Sequence, residues 1–159
     1  MIIQNKHLLR STCFIGGKWI AADDASQMAV LNPANGKIIA EVANCGSNET
    51  TRAITTANEA WPAWRGLTAK QRAQILRRWF ELILQNTEDL AQLITAEGGK
   101  PLAEARGEVA YGASFVEWFA EEGKRAYGET IPATAADKRL VVIKQPIGVC
   151  AAITPWNFP

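Results

Sequence analysis

The sequence predicts an α/β chain in three stretches: short paired strands, then helices, then two further strands. Turn residues punctuate roughly the first 45 positions. Apolar residues then recur every three or four places from about 48 to 127. Finally, the run at 147–153 is apolar on both faces, the pattern of a strand buried inside a parallel sheet.

The first strands follow from their turns. Phe14-Ile15 and Lys18-Trp19-Ile20 flank Gly16-Gly17, a pair that readily takes positive φ, so a β-hairpin is expected. Ala29-Val30-Leu31 and the segment 37–42 flank Asn32-Pro33-Ala34-Asn35-Gly36, with proline early and Asn-Gly late, a strong turn signal.

Helices come next. Ser47 is placed to cap a helix with Ala53, Ile54, Ala57, Ala60, Trp61 and Trp64 on one face, and Pro62 should end or kink it. Thr68-x-x-Gln71 is a capping box opening a helix with Ile75, Leu76, Trp79, Phe80, Leu82 and Ile83 inward. Lys70, Arg72, Arg77 and Arg78 lie on its other face, read as solvated. Thr87 caps a third helix through Leu90, Leu93 and Ile94, which breaks at Gly98-Gly99-Lys100-Pro101. A long helix runs from Leu102 to about Tyr127, and Gly107 and Gly112 inside it suggest close approach of another element. After a loop at 128–137 comes a β-branched strand at 139–145, then the apolar run closed by Thr154-Pro155.

Composition excludes several function classes. With 17 basic and 16 acidic residues the net charge is +1, so no basic excess points to nucleic acid. No apolar run approaches the ~20 residues a membrane span requires, and the first ten residues are too polar for a signal peptide. Cys13, Cys45 and Cys150 form no C-x-x-C pair, which argues against a disulfide framework or zinc site and fits a cytoplasmic setting. His7, the one histidine, sits in an N-terminal tail expected to be mobile.

Gly98-Gly99-Lys100 lacks the earlier glycine and the following Ser or Thr of a phosphate loop, and reads instead as a helix stop. No G-x-G-x-x-G or G-x-S-x-G occurs. Cys150, in the middle of the apolar run, is expected to be buried and structural rather than nucleophilic. The most specific segment is Thr154-Pro155-Trp156-Asn157-Phe158-Pro159, after the apolar strand. Loops at the C-terminal ends of parallel strands are where α/β proteins bind ligands. An asparagine held between rigid neighbours can aim its amide at a developing oxyanion, although a stiff strand-ending turn would look the same.

Residues 153–159 resemble the end of the first strand of the cofactor-binding sheet in aldehyde dehydrogenases. Phe14-Ile15-Gly16-Gly17-Lys18-Trp19, Asn32-Pro33-Ala34-Asn35-Gly36 and Glu97-Gly98-Gly99-Lys100-Pro101 agree with that family in order and spacing. The stretches 115–125 and 137–149 look like bacterial succinate-semialdehyde dehydrogenases. The likeness runs from about Cys13 to Pro159.

The resemblance implies the N-terminal portion of the aldehyde dehydrogenase fold: β-hairpins, a helical cluster, an oligomerisation strand, and the first strand of the cofactor-binding parallel sheet. Residues 1–129 would be the strands and helices of the cofactor-binding domain, 130–146 the oligomerisation arm, and 147–159 the first strand and loop of the dinucleotide-binding sheet. It implies oxidation of a small aldehyde, succinate semialdehyde to succinate, with NADP or NAD, in a homo-oligomer assembled through the 130–146 arm. By position, Asn157 resembles the oxyanion-stabilising residue. Ile153, Thr154, Pro155, Trp156 and Asn157 resemble the wall along the cofactor. The family's nucleophilic cysteine, its glutamate, its phosphate-contacting lysine and its substrate arginines correspond to positions beyond Pro159. The 159 residues alone are therefore expected to be inactive. The alternative is an interaction module that pairs with an intact relative through the arm.

Overall fold

A computed structural model describes residues 2–159. β1 (Cys13–Ile15) and β2 (Lys18–Ile20) pair antiparallel about Gly16 and Gly17, whose φ of 60° and 77° realise the expected turn. β3 (Gln27–Leu31) and β4 (Ile38–Ala43) form a second hairpin closed by the Asn32–Lys37 and Asn32–Gly36 backbone hydrogen bonds. Ala43 N–H donates to Ser11 O (2.8 Å), tying the two hairpins together. The N-terminal tail is not the free segment expected. Gln4 and Asn5 donate backbone N–H groups to the buried Asp89 carboxylate at 3.0 and 2.8 Å, while His7 stays exposed.

The four helices are α1 (Ser47–Gly66), α2 (Ala69–Gln85), α3 (Thr87–Gly98) and α4 (Leu102–Glu122). The capping box at Thr68 and Gln71 forms as predicted. Two other caps differ. Gly46 caps α1, and Glu49 reaches back to its N–H at 2.9 Å, so Ser47 is already helical. Asn86 both ends α2 and starts α3, and this one-residue joint turns the Thr87 hydroxyl back onto Leu84 O (2.7 Å). Pro62 does not end α1, which continues to Gly66. The carbonyl it leaves without a helical partner belongs to the exposed Asn58, where water can satisfy it.

α3 stops at Gly99, which takes the left-handed φ of 76° with Pro33 packed beside it. α2 and α3 pack on α4 through small residues. Ala91, Ala105 and Ala113 are fully buried and Val109 nearly so, with Ile83, Leu90, Ile94 and Leu102 around them. Alanines at the contact let the backbones approach closely. Gly107 and Gly112 play no such part, because a Cβ at either would meet nothing within 4 Å. The inward face expected of α2 is only partly covered, since Ile75, Trp79 and Leu82 remain exposed.

β5 (Glu129–Ile131) and β6 (Leu140–Val142) form a third antiparallel hairpin, exposed along its length. Every sheet among the described residues is two-stranded, in a mixed α/β arrangement. The strand expected at 147–154 does not form. A parallel ladder needs a neighbour reached by a crossover, and without one Ile147 and Ile153 stand 92% and 98% exposed. Cys150, expected to be buried, is exposed for the same reason.

Candidate functional site

The terminal segment folds back as a tight turn, Phe158 N–H donating to Pro155 O at 3.0 Å. Lys100 anchors it. Its position follows from the helix break: Gly99 reverses the chain and Pro101 opens α4, leaving the lysine at the joint. Its Nζ donates to Asn157 O (2.8 Å), lies 4.4 Å from the centre of the Phe158 ring, and is ion-paired with Glu108 two turns into α4. The Lys100 and Glu108 side chains are only 19% and 9% exposed, so this charge pair is screened far less than a surface bridge. The second oxygen of Glu108, Oε1, is buried with no hydrogen-bond partner among the described residues.

Beside the clamp lies a largely apolar cavity of about 530 Å³. Trp79, Ile83, Ile94 and Val109 line its helical side, and Trp156 and Pro159 the other. A smaller recess of about 220 Å³ runs from Gly99 and Pro101 to Asn157. Several carboxylates on the helices are held by guanidinium partners. Arg106 lowers the Glu88 pKa chiefly through hydrogen bonds of 2.7 and 2.9 Å, and Arg77 bonds Glu117 at 2.6 Å and Glu81 at 3.3 Å. The basic α2 face is thus partly neutralised in place, and Arg72 turns to the Leu67 carbonyl.

Of the residues singled out in the sequence, Pro155, Trp156 and Asn157 come together in the turn, while Ile153 and Thr154 stand exposed just before it. Asn157 is held by its backbone carbonyl and is exposed. The sequence reading missed Lys100 and Glu108, having assigned Lys100 only to a helix stop. The available signal was a lysine beside proline at a helix start with a carboxylate on that helix's inner face.

The terminal turn is thus clamped to the helical body of a mixed α/β chain through its backbone, with the Asn157 amide left free beside the smaller recess. The chain matches the model described as the aldehyde dehydrogenase family over residues 19–159, and it belongs to that family. It is 59% identical over 159 residues to the glutarate-semialdehyde dehydrogenase of Pseudomonas putida, covering 100% of this chain and 33% of that protein. To the succinate-semialdehyde dehydrogenase [NADP(+)] GabD of Escherichia coli it is 58% identical over 159 residues, again covering 100% and 33%. A crystal structure described as an E. coli NADP dependent enzyme superposes with a TM-score of 0.98 at 58% identity, over 99% of this chain and 33% of that one. The chain spans about a third of the length of these relatives. No helix among the described residues is long and apolar enough to cross a membrane.

Proposed function

We propose that the protein carrying this chain oxidises succinate semialdehyde to succinate with NADP or NAD, and that this chain supplies the oxyanion donor and one wall of the cofactor site. The observation that carries the reading is the clamped turn, which fixes the Asn157 backbone through Lys100 and leaves its side chain uncommitted. Similarity to the semialdehyde dehydrogenases of P. putida and E. coli supports the substrate class.

The residues present fit one side of a nicotinamide cofactor. Ile153 and Trp156 offer bare apolar surface, and Asn157 an amide that can donate. When bound, the cofactor supplies the hydride acceptor. Ile153, Thr154, Pro155 and Trp156 shape the wall against which it rests and exclude water from that side. The Asn157 Nδ2 hydrogens would donate to the aldehyde oxygen as negative charge builds on it, and the anchored backbone and the two nearby prolines reduce the reorganisation this requires. The organisation that goes with this function is a body at 1–129, an arm at 130–146 and the sheet-entry strand and loop at 147–159.

Purified whole protein, assayed by absorbance of the reduced cofactor, should turn over succinate semialdehyde. Glutarate semialdehyde, one methylene longer, is the competitor to run beside it, because the P. putida relative carries that name. No cofactor reduction with either aldehyde would overturn the proposal.

An oligomer assembled through the arm is the second part of the reading. Ile131, Leu140 and Val141 of the β5–β6 hairpin, and Ile143 just after it, are all exposed, and both hairpin edges are free for pairing with another copy. Sedimentation of the whole protein with Val141→Lys, compared with the unaltered protein, tests this. Unchanged mass would remove the arm from the interface.

A further inference from the structure

The sequence argued against a disulfide framework, yet folding brings two cysteines together. Cys13 opens β1 and Cys45 immediately precedes the α1 cap, and their Sγ atoms lie 3.4 Å apart, 32 residues distant along the chain. Both are half-buried free thiols. Backbone bonds fix each: Cys13 pairs with Ile20 in the hairpin ladder. Cys45 sits between Asn44, whose N–H donates to Ser26 O (3.0 Å), and Gly46, whose N–H donates to Glu49 (2.9 Å). The Ala43–Ser11 bond holds the two strands alongside each other. The approach is therefore built by the backbone. A disulfide needs the sulfurs at about 2.05 Å, so they must come roughly 1.4 Å closer than they stand.

We infer that Cys13 and Cys45 are a modification site for hydroperoxides, with Cys13 the attacking sulfur and Cys45 the thiol that closes the disulfide. The assignment of roles follows the hydrogen bond. The Cys45 S–H donates to Cys13 Sγ, and the carboxylates of Glu49 and Asp23 lie nearby. That bond, then burial and those negative charges, pushes the Cys45 thiol up to about 11, so it keeps its proton. Cys13 sulfur attacks the hydroperoxide, forming S–O as O–O breaks, and its proton leaves with the departing oxygen as water or alcohol. Cys45 sulfur then attacks Cys13 sulfur, forming S–S as S–O breaks, and the Cys45 proton leaves with the hydroxide as water. The two thiols lose two electrons and the peroxide gains them. The product pins the β1–β2 hairpin to the start of α1. Cys150, without a neighbouring thiol among the described residues, is the internal comparison.

The test treats the whole protein with a small excess of hydrogen peroxide, blocks remaining thiols with a maleimide, and maps peptides by mass spectrometry. A peptide joining Cys13 to Cys45, about 2 Da lighter than the two reduced peptides together and restored by dithiothreitol, is expected. In Cys45→Ser, dimedone should trap a sulfenic acid on Cys13, whereas in Cys13→Ser the Cys45 thiol should remain available to the maleimide. Full maleimide labelling of Cys13 and Cys45 after peroxide would overturn the inference. So would oxidation that reaches Cys150 while sparing the pair. The unaltered protein alone decides this if either variant fails to fold.

Discussion

Replacing Lys100 with methionine keeps the aliphatic stem and removes the ammonium that holds the terminal turn. Three interactions go together: the ion pair with Glu108, the hydrogen bond to Asn157 O, and the contact with the Phe158 ring. The ion pair dominates. Its partner is 9% exposed and one of the carboxylate oxygens already lacks a hydrogen bond, so Lys100→Met leaves that carboxylate without its counter-charge in a largely buried position. Breaking a buried pair from one side costs about 3–5 kcal/mol. The bond from the charged ammonium to Asn157 O and the contact with the Phe158 ring lie at the exposed end of the clamp, where solvent screening leaves them a minor addition. Glu108 lines the neighbouring cavity, where water can solvate it once the ammonium is gone, so the low end of that range, about 3 kcal/mol, is expected. Glu108→Gln in the same background should restore most of the loss, giving a coupling of roughly 2–3 kcal/mol. Urea unfolding of the whole protein and its three variants measures the cycle. Single variants within about 0.5 kcal/mol of the parent, with no coupling, would refute the clamp.

Other expectations follow from single positions. Asn157→Ala in the whole protein should lower kcat about 10²–10³-fold while a cofactor titration stays nearly unchanged; equal loss in both would make the residue a binding contact rather than an oxyanion donor. Gly99→Ala should lower the melting temperature, because the residue takes φ 76° and the new Cβ would lie 3.0 Å from the Pro33 ring; the cost is about 1–2 kcal/mol, and an unchanged melt counts against a strained stop. Acid should loosen the hairpin–α1 junction. The Asp23 pKa is lowered chiefly by the Arg52 hydrogen bonds and that of Glu49 by backbone N–H donors, so their contribution is intact above about pH 4 and is lost as pH falls through the lowered values. In thermal melts from pH 6 to pH 2, Asp23→Asn should flatten that loss. The 159 residues expressed alone should show no cofactor reduction with succinate semialdehyde, with or without Cys150→Ala, because covalent attack needs an activated thiol and a base; turnover would contradict the roles assigned here.

Local chemistry was enough to read most elements from the sequence. The Gly16-Gly17 and Asn35-Gly36 turns, the Thr68–Gln71 box and the Gly99 stop are decided by a few neighbouring residues, and those features stand as read. The family, too, was legible, because its motifs lie in order along the chain. What the sequence left open depends on partners distant along the chain. Glu49 rather than Ser47 completes the α1 cap, since its carboxylate also accepts from Asp23 N–H at 2.6 Å. Asp89 holds the tail, and Lys100 reaches 57 residues onward to Asn157. The run at 147–153 has the composition of a buried strand, but pairing is a property of neighbours, and composition cannot supply one. Cys13 and Cys45 make the same point: as letters they were two unrelated thiols, and only hairpin packing against the start of α1 makes them a pair.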